Sequence, residues 1–248
     1  MKRWKMLLKF SFVGLIITTL ASCSAIHTSV AKRNLDVQTK ISTSIFVDPV
    51  PANKRKIYLE VRSAVMEFDR VSFRKALSHQ LVNSGNGYTL TDDPEKSQYR
   101  MSVFVRNLEK TTPEAAASAL SAGFQGASIG AVASAATGGS YRGAAAAGLV
   151  VGLASTVANA YVQDVVYLLV ADIQIKERAK KGVIVRRDSK VNTKISDDGA
   201  STQTYSEATS MKEYRTRVVT TANKANLELE EAQPLMFDKT AYAMSAFF

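Results

Sequence analysis

Hydrophobic and polar positions alternate along several stretches of this chain. Ile57, Leu59 and Val61 alternate with Tyr58, Glu60 and Arg62, the period-two pattern of a half-buried strand. Tyr99, Met101, Val103 and Val105 alternate with Arg100, Ser102 and Arg106 and predict a second strand. Between them the period lengthens. Asp69 is placed to cap a helix on which Phe73, Leu77 and Leu81 share a face, ending near Ser84-Gly85-Asn86-Gly87. Beyond Asp164 the strand pattern returns: Val165, Tyr167, Leu169, Ala171, Ile173 and Ile175 lie on one face, and the other turns polar from Asp172 onward. Val183-Ile184-Val185 predicts a short strand, and Lys190 to Ser210, polar and Ser/Thr-rich, a long loop. Tyr214 to Thr220 and Asn226 to Glu230 predict two further strands, and Pro234 suits the first turn of a C-terminal helix.

Composition changes abruptly at residue 115. Ala115 to Tyr141 holds no charged residue, and Arg142 alone interrupts before a second uncharged run, Gly143 to Gln163. Small residues recur at every fourth position: Ala122, Gly126, Gly130, Ser134 and Gly138 in the first run, and Ala144, Gly148, Gly152, Thr156 and Ala160 in the second. On a helix these rows share a face. A face without side chains lets helices approach closely within lipid. At 1.5 Å per residue, each run makes about 30 Å of helix, enough to cross a hydrocarbon core. A helical pair packed in water and a flexible linker are the alternatives. The expectation is an α+β protein: a mixed sheet domain with an inserted Ala/Gly-rich hairpin of membrane-spanning or membrane-associated helices. Gly126, Gly130, Gly148 and Gly152 would pack helices and assemble copies, and Tyr141 and Arg142 would occupy an exposed tip.

The amino terminus adds a destination. Lys2, Arg3, Lys5 and Lys9 precede an apolar run from Phe10 to Leu20, the layout of a secretory signal peptide. Leu20-Ala21-Ser22-Cys23 follows and is similar to a bacterial lipobox. Cys23 is the sole cysteine in 248 residues, so a lipidated Cys23 leaves none for a disulfide or a metal. The expected modification is an N-acyl diacylglyceryl group, including palmitate, with no other cofactor. One acyl chain binds a membrane only marginally, and lipoproteins of this kind carry several. Ser24, rather than aspartate, follows the cysteine, which implies the outer membrane. The boundaries expected are 1–22 signal peptide, 23–42 lipidated connector, 43–114 first part of the domain, 115–163 hairpin and 164–248 second part.

Charge then narrows the partners. The chain has 32 Lys and Arg against 22 Asp and Glu. Four of the cations belong to the signal segment, so the mature balance is about +6. The basic clusters lack the regular spacing and aromatic interleaving of a nucleic-acid surface, and no nucleic-acid partner is expected. A modest positive balance suits outer-membrane lipid and lipopolysaccharide. The histidines, His27 and His79, have no cysteine or carboxylate at ligand spacing, and Asp92-Asp93-Pro94 reads as a turn. Thr137-Gly138-Gly139-Ser140 lacks the lysine of a P-loop, and neither Gly-x-Ser-x-Gly nor His-Glu-x-x-His occurs. No catalytic or metal-binding residue, and no enzyme, is expected.

Four ordered stretches carry a resemblance: Lys32 to Val37; Asp164 to Tyr167 running on to Asp172 through Arg178; Tyr214 to Val219; and Ala222 to Leu227. With the glycine-rich segment between them, they resemble the TraT lipoproteins of conjugative plasmids. The resemblance implies an oligomeric outer-membrane protein, exposed at the surface, that mediates surface exclusion of further conjugation and, in some members, complement resistance. Donor-cell mating structures or outer-membrane porins would be its partners besides its own copies. Residues 63–113 and 186–212 match poorly. The alternatives are an oligomeric secretion pore and a structural envelope lipoprotein.

Overall fold

In the computed structural model, residues 32–121, 163–194 and 200–248 are described. Eight strands and three helices follow one another: β1 Asp36–Ile41, β2 Lys56–Ser63, α1 Arg70–Asn83, β3 Thr89–Leu90, β4 Tyr99–Thr111, α2 Pro113–Ser121, β5 Asp164–Arg178, β6 Val185–Lys194, β7 Ala200–Thr209, β8 Met211–Ala225 and α3 Leu229–Ser245. The fold is α+β. Six strands form one mixed sheet in the order β1-β8-β5-β4-β2-β3, and β6 and β7 pair separately. β1, β8, β5 and β4 are successively antiparallel, whereas β2 is parallel to both β4 and β3. Helix α1 supplies the crossover that a parallel connection requires.

The alternations at 57–61 and 99–105 become β2 and β4, joined in register at Ile57↔Tyr99 through Ser63↔Val105. Asp69 caps α1, its carboxylate accepting from the amides of Val71 at 3.0 Å and Ser72 at 3.1 Å. Phe73, Leu77 and Leu81 are its buried face. Gly85 and Gly87, at φ of +81° and +70°, turn the chain back toward β3. Burying one face of the sheet, α1 and α3 enclose Leu59, Met101, Val103, Leu169, Ile173 and Val218. Phe68, Phe73 and Phe237 meet there with ring centroids 5.0–5.3 Å apart. The other face of the sheet divides in two. Near the insert, Leu168, Val170 and Val219 are buried with Ala119 and Leu120 of α2 against them. From Asp172 onward it is polar: Arg106 and Arg217 both pair with that carboxylate, and the Gln174 amide donates to Glu213.

Several expectations are corrected. Strand β1 lies inside the 23–42 stretch expected as a connector; β8 offers an edge, and the modest alternation of Val37, Thr39 and Ile41 suffices to pair with it. The loop expected over Lys190 to Ser210 is largely the β6–β7 hairpin, ten residues to a strand. Val183 and Ile184 are exposed outside β6, because Gly182 at φ +89° and a Val183 amide bond to the Lys180 carbonyl close a turn there. Asn226 to Glu230 is not a strand. Asn226, at φ 52°, ends β8, and α3 starts at Leu229. Asparagine tolerates that left-handed geometry better than most side chains. Pro234 consequently stands inside α3 rather than in its first turn. The missing amide would have served the carbonyl of Glu230, an exposed residue that water can satisfy.

Among the described residues no helix is long and apolar enough to cross a membrane. Helix α2 occupies the first part of the expected hairpin. The remainder, with Gly126, Gly130, Gly148, Gly152, Tyr141 and Arg142, lies outside the described residues, as do the signal segment and Cys23.

Candidate functional site

Antiparallel pairing of β4 with β5 brings both ends of the insert to one pole of the sheet, with Thr111 opposite Val166. Pro113 opens α2, and the Thr112 hydroxyl accepts from the Ala115 amide at 3.2 Å. Proline at a first helical position sacrifices no intrahelical donor. At the other end, Gln163 and Asn226 are bonded twice, Asn226 amide to Gln163 carbonyl and Gln163 amide to Asn226 Oδ1, each at 2.8 Å. The Asn223 amide group donates to Asp164 at 2.6 Å.

The amino-terminal segment reaches the same pole. β1 pairs Asp36 with Asn223, and the Ala225 amide donates to the Lys32 carbonyl at 2.9 Å. Cys23 is nine residues upstream of Lys32, a span of at most about 30 Å when extended. Lys32, Pro113 and Gln163 therefore come to one end of the sheet, and α2 runs from there back over Leu168, Val170 and Val219. This pole carries Lys32, Arg33, Lys110 and Lys224, but also Asp36, Glu114, Asp164, Glu228, Glu230 and Glu231. Its charge is mixed, so it supplies no basic field to hold an anionic lipid surface. Burial of Tyr167, followed by the nearby Glu228 and Glu230, pushes that phenol above its ordinary pKa.

The opposite pole holds a polar cluster that the sequence reading missed. Glu177 is buried, and its carboxylate accepts from the Tyr214 hydroxyl at 3.0 Å and the Asp48 amide at 3.4 Å. The Lys212 ammonium lies 2.6 Å from Asp48 and 3.7 Å from Glu177. Its hydrogen bond to Asp48 raises the lysine pKa and lowers that of the aspartate. The Tyr99 hydroxyl donates to the Asp48 carbonyl at 2.6 Å, and burial pushes its pKa up, as it does for Tyr214. Tyr88, Tyr99 and the terminal Phe248 stack edge to face beside it. One signal could have found the cluster: Glu177 continues the odd-numbered face of Ile173 and Ile175, a carboxylate on an otherwise apolar face. The side chains bind one another and join the 42–50 loop to β5 and β8. They form no constellation of nucleophile, base and orienting group. His79 is exposed on α1, and no group of three potential metal ligands occurs among the described residues.

A family model described as the Enterobacterial TraT complement resistance protein matches residues 34–248. The chain belongs to the TraT family. A TraT complement resistance protein of Escherichia coli is 32% identical over 243 residues, covering 96% of this chain and 97% of that protein. Another, from strain K12, is 32% identical over 247 residues with the same coverage. A relative from Wigglesworthia glossinidia brevipalpis is 26% identical over 98 residues, 40% of this chain and 39% of that protein. Among solved structures, the PelC dodecamer of Paraburkholderia phytofirmans aligns with a TM-score of 0.31 and 6% identity, over 84% of this chain and 96% of that one. A likeness that low bears on neither fold nor assembly. TraT membership extends across all three described segments, including 63–113 and 186–212, where the four ordered stretches give no match.

Proposed function

We propose that this TraT protein is a lipid-anchored component of the outer membrane that makes its cell a poor recipient for conjugation and lessens killing by complement. Cys23 carries the acyl chains, and the part of the 115–163 segment beyond α2 enters the membrane as a hairpin whose glycine rows hold copies together. Tyr141 and Arg142 then sit at the exposed tip. The action is steric: a dense assembly occupies surface that a donor cell's mating structure, or a complement complex, would otherwise use. Family membership over residues 34–248 supports this reading. The observation that carries it structurally is the shared pole, where Lys32, Pro113 and Gln163 come together. Two independent attachments at one end of a domain orient it on a membrane, whereas attachments at opposite ends would oppose each other.

The test is transfer frequency from several donor plasmids into recipients expressing wild type, Cys23→Ala or neither, with survival in serum measured in parallel. Reduced transfer or improved serum survival with wild type alone, at equal expression, is the expected result. Unchanged transfer and unchanged survival, with wild type present at the surface, would overturn the proposal.

A further inference from the structure

The β6–β7 ribbon is unlike the rest of the domain. Its ten cross-strand pairs run from Val185↔Thr209 to Lys194↔Ala200 without a bulge, and no third strand joins it among the described residues. None of its described side chains is buried. Two-stranded ribbons without a packed face are marginal in water. This one is held at its root, where Arg187 pairs with Glu207 of β7 and Glu213 of β8. Each strand therefore presents an outward row of unpaired backbone donors and acceptors, the usual template for adding another strand. Neither strand contains proline or glycine to interrupt that row.

Charge selects what can dock. β6 carries Arg186, Arg187, Lys190 and Lys194 against Asp188, while β7 carries Glu207 and no cation. Pairing β6 with a second β6 would bring together two strands that each carry four cations and one carboxylate, net like charges that repel. Pairing β6 with the β7 of another copy does not. Translating the ribbon sideways by one strand pair keeps every neighbour antiparallel, and it repeats between copies the opposition of Arg187 to Glu207 found within each. A ribbon with a cationic strand and an anionic strand is the complement of its own copy.

We propose that the ribbon is the head-to-tail docking element of the assembly, the β6 edge of one copy pairing with the β7 edge of the next. This rests on the reading that the protein forms a homo-oligomer. It adds an interface at the pole of the sheet opposite Thr111 and Gln163. A heterologous contact of this kind builds a ring if the rotation closes.

Two full-length chains with different tags are co-expressed, one carrying Lys190→Cys and the other Thr204→Cys. Membranes are treated with copper phenanthroline, which joins only thiols close enough for a direct disulfide, and the parent, with Cys23 alone, is the control. The translated arrangement puts these positions opposite each other between copies, so a cross-linked species bearing both tags is expected, with none from Lys190→Cys alone. Absence of the mixed species while the native mass in mild detergent stays oligomeric would overturn the docking role and leave assembly standing. A parent that is monomeric in mild detergent and in membranes treated with an amine-reactive cross-linker would overturn both. Links between two Lys190→Cys copies would overturn the head-to-tail arrangement.

Discussion

Lys212 reaches two carboxylates in contrasting surroundings, and the longer of the two contacts is expected to matter more. Its ammonium is 2.6 Å from Asp48, whose side chain is 49% exposed, and 3.7 Å from Glu177, whose side chain is 3% exposed. At 3.7 Å, two unit charges attract by about 1 kcal/mol in bulk water and by about 4–5 kcal/mol at an effective dielectric of 20. Lys212 is itself one-third exposed, so solvent screening brings the Glu177 coupling to about 1–2 kcal/mol. The Asp48 pair lies in water and behaves as a surface ion pair, which contributes little despite its length. Replacing Lys212 with methionine keeps most of the apolar stem but leaves Glu177 with the Tyr214 hydroxyl and the Asp48 amide as its remaining partners. The loss should be about 1–3 kcal/mol, the range for stranding a buried polar group. Glu177→Gln in the Lys212→Met background should recover most of it. The assay is a double-mutant cycle by denaturant unfolding of the full-length protein in mild detergent, with Asp48→Asn as the second cycle. A Lys212–Asp48 coupling equal to or larger than the Lys212–Glu177 coupling would refute the reasoning, because contact length rather than burial would then set the energy.

Phe237→Ala should cost about 3–5 kcal/mol, since it empties a buried site and removes both edge contacts in the phenylalanine cluster; denaturant midpoints measure it. Thr220 bonds Thr240 at 2.7 Å and Thr39 at 3.0 Å. Thr240→Val should therefore cost about 1 kcal/mol, and Thr220→Val more, as it strips a partner from both neighbours; melting temperatures of the two variants would order them. Tyr99 and Tyr214 have pKa values raised by burial, and Lys212 has one raised by Asp48. A group that binds its proton more tightly when folded contributes fully below its unfolded pKa and loses that contribution as pH rises past it. Stability should accordingly decline above about pH 10, and Tyr214→Phe should flatten the decline in a pH series of unfolding midpoints.

The elements with a clear period were legible in the sequence. Ile57 to Val61, Phe73 to Leu81, Tyr99 to Val105 and Val165 to Ile175 bury one face each, and burial imposes the alternation or the helical repeat. The illegible parts owe their structure to neighbours. In β8, Val218 to Ala222 are all buried, because α3 covers one face and α2 the other, so the alternation vanishes where the strand is most enclosed. β1 is an edge strand that β8 recruits, and its polar face matches a connector in composition. The β6–β7 ribbon buries no described side chain, so it leaves no hydrophobic signature and resembles a loop. Pro234 marked a helix correctly, but its placement in the first turn ignored how cheaply an exposed carbonyl gives up a donor. For the candidate site, the Ala/Gly segment and the basic-then-apolar start of the chain were visible as composition. That Lys32, Pro113 and Gln163 meet at one end of the sheet was not, because it depends on which strands pair.

Because β4 and β5 are antiparallel neighbours, Thr111 and Val166 sit side by side, and everything between them is, to the sheet, one oversized hairpin connection. The ladder on either side neither gains nor loses a bond when that connection changes length. Each doubling of a flexible connection adds only about 0.6 kcal/mol to the cost of closing it. Descendants of such a gene could lengthen, shorten or exchange the segment between α2 and Gln163 while the domain beneath kept its register. The inserted segment is thus free to diversify at its own pace, on a platform that has no reason to change with it.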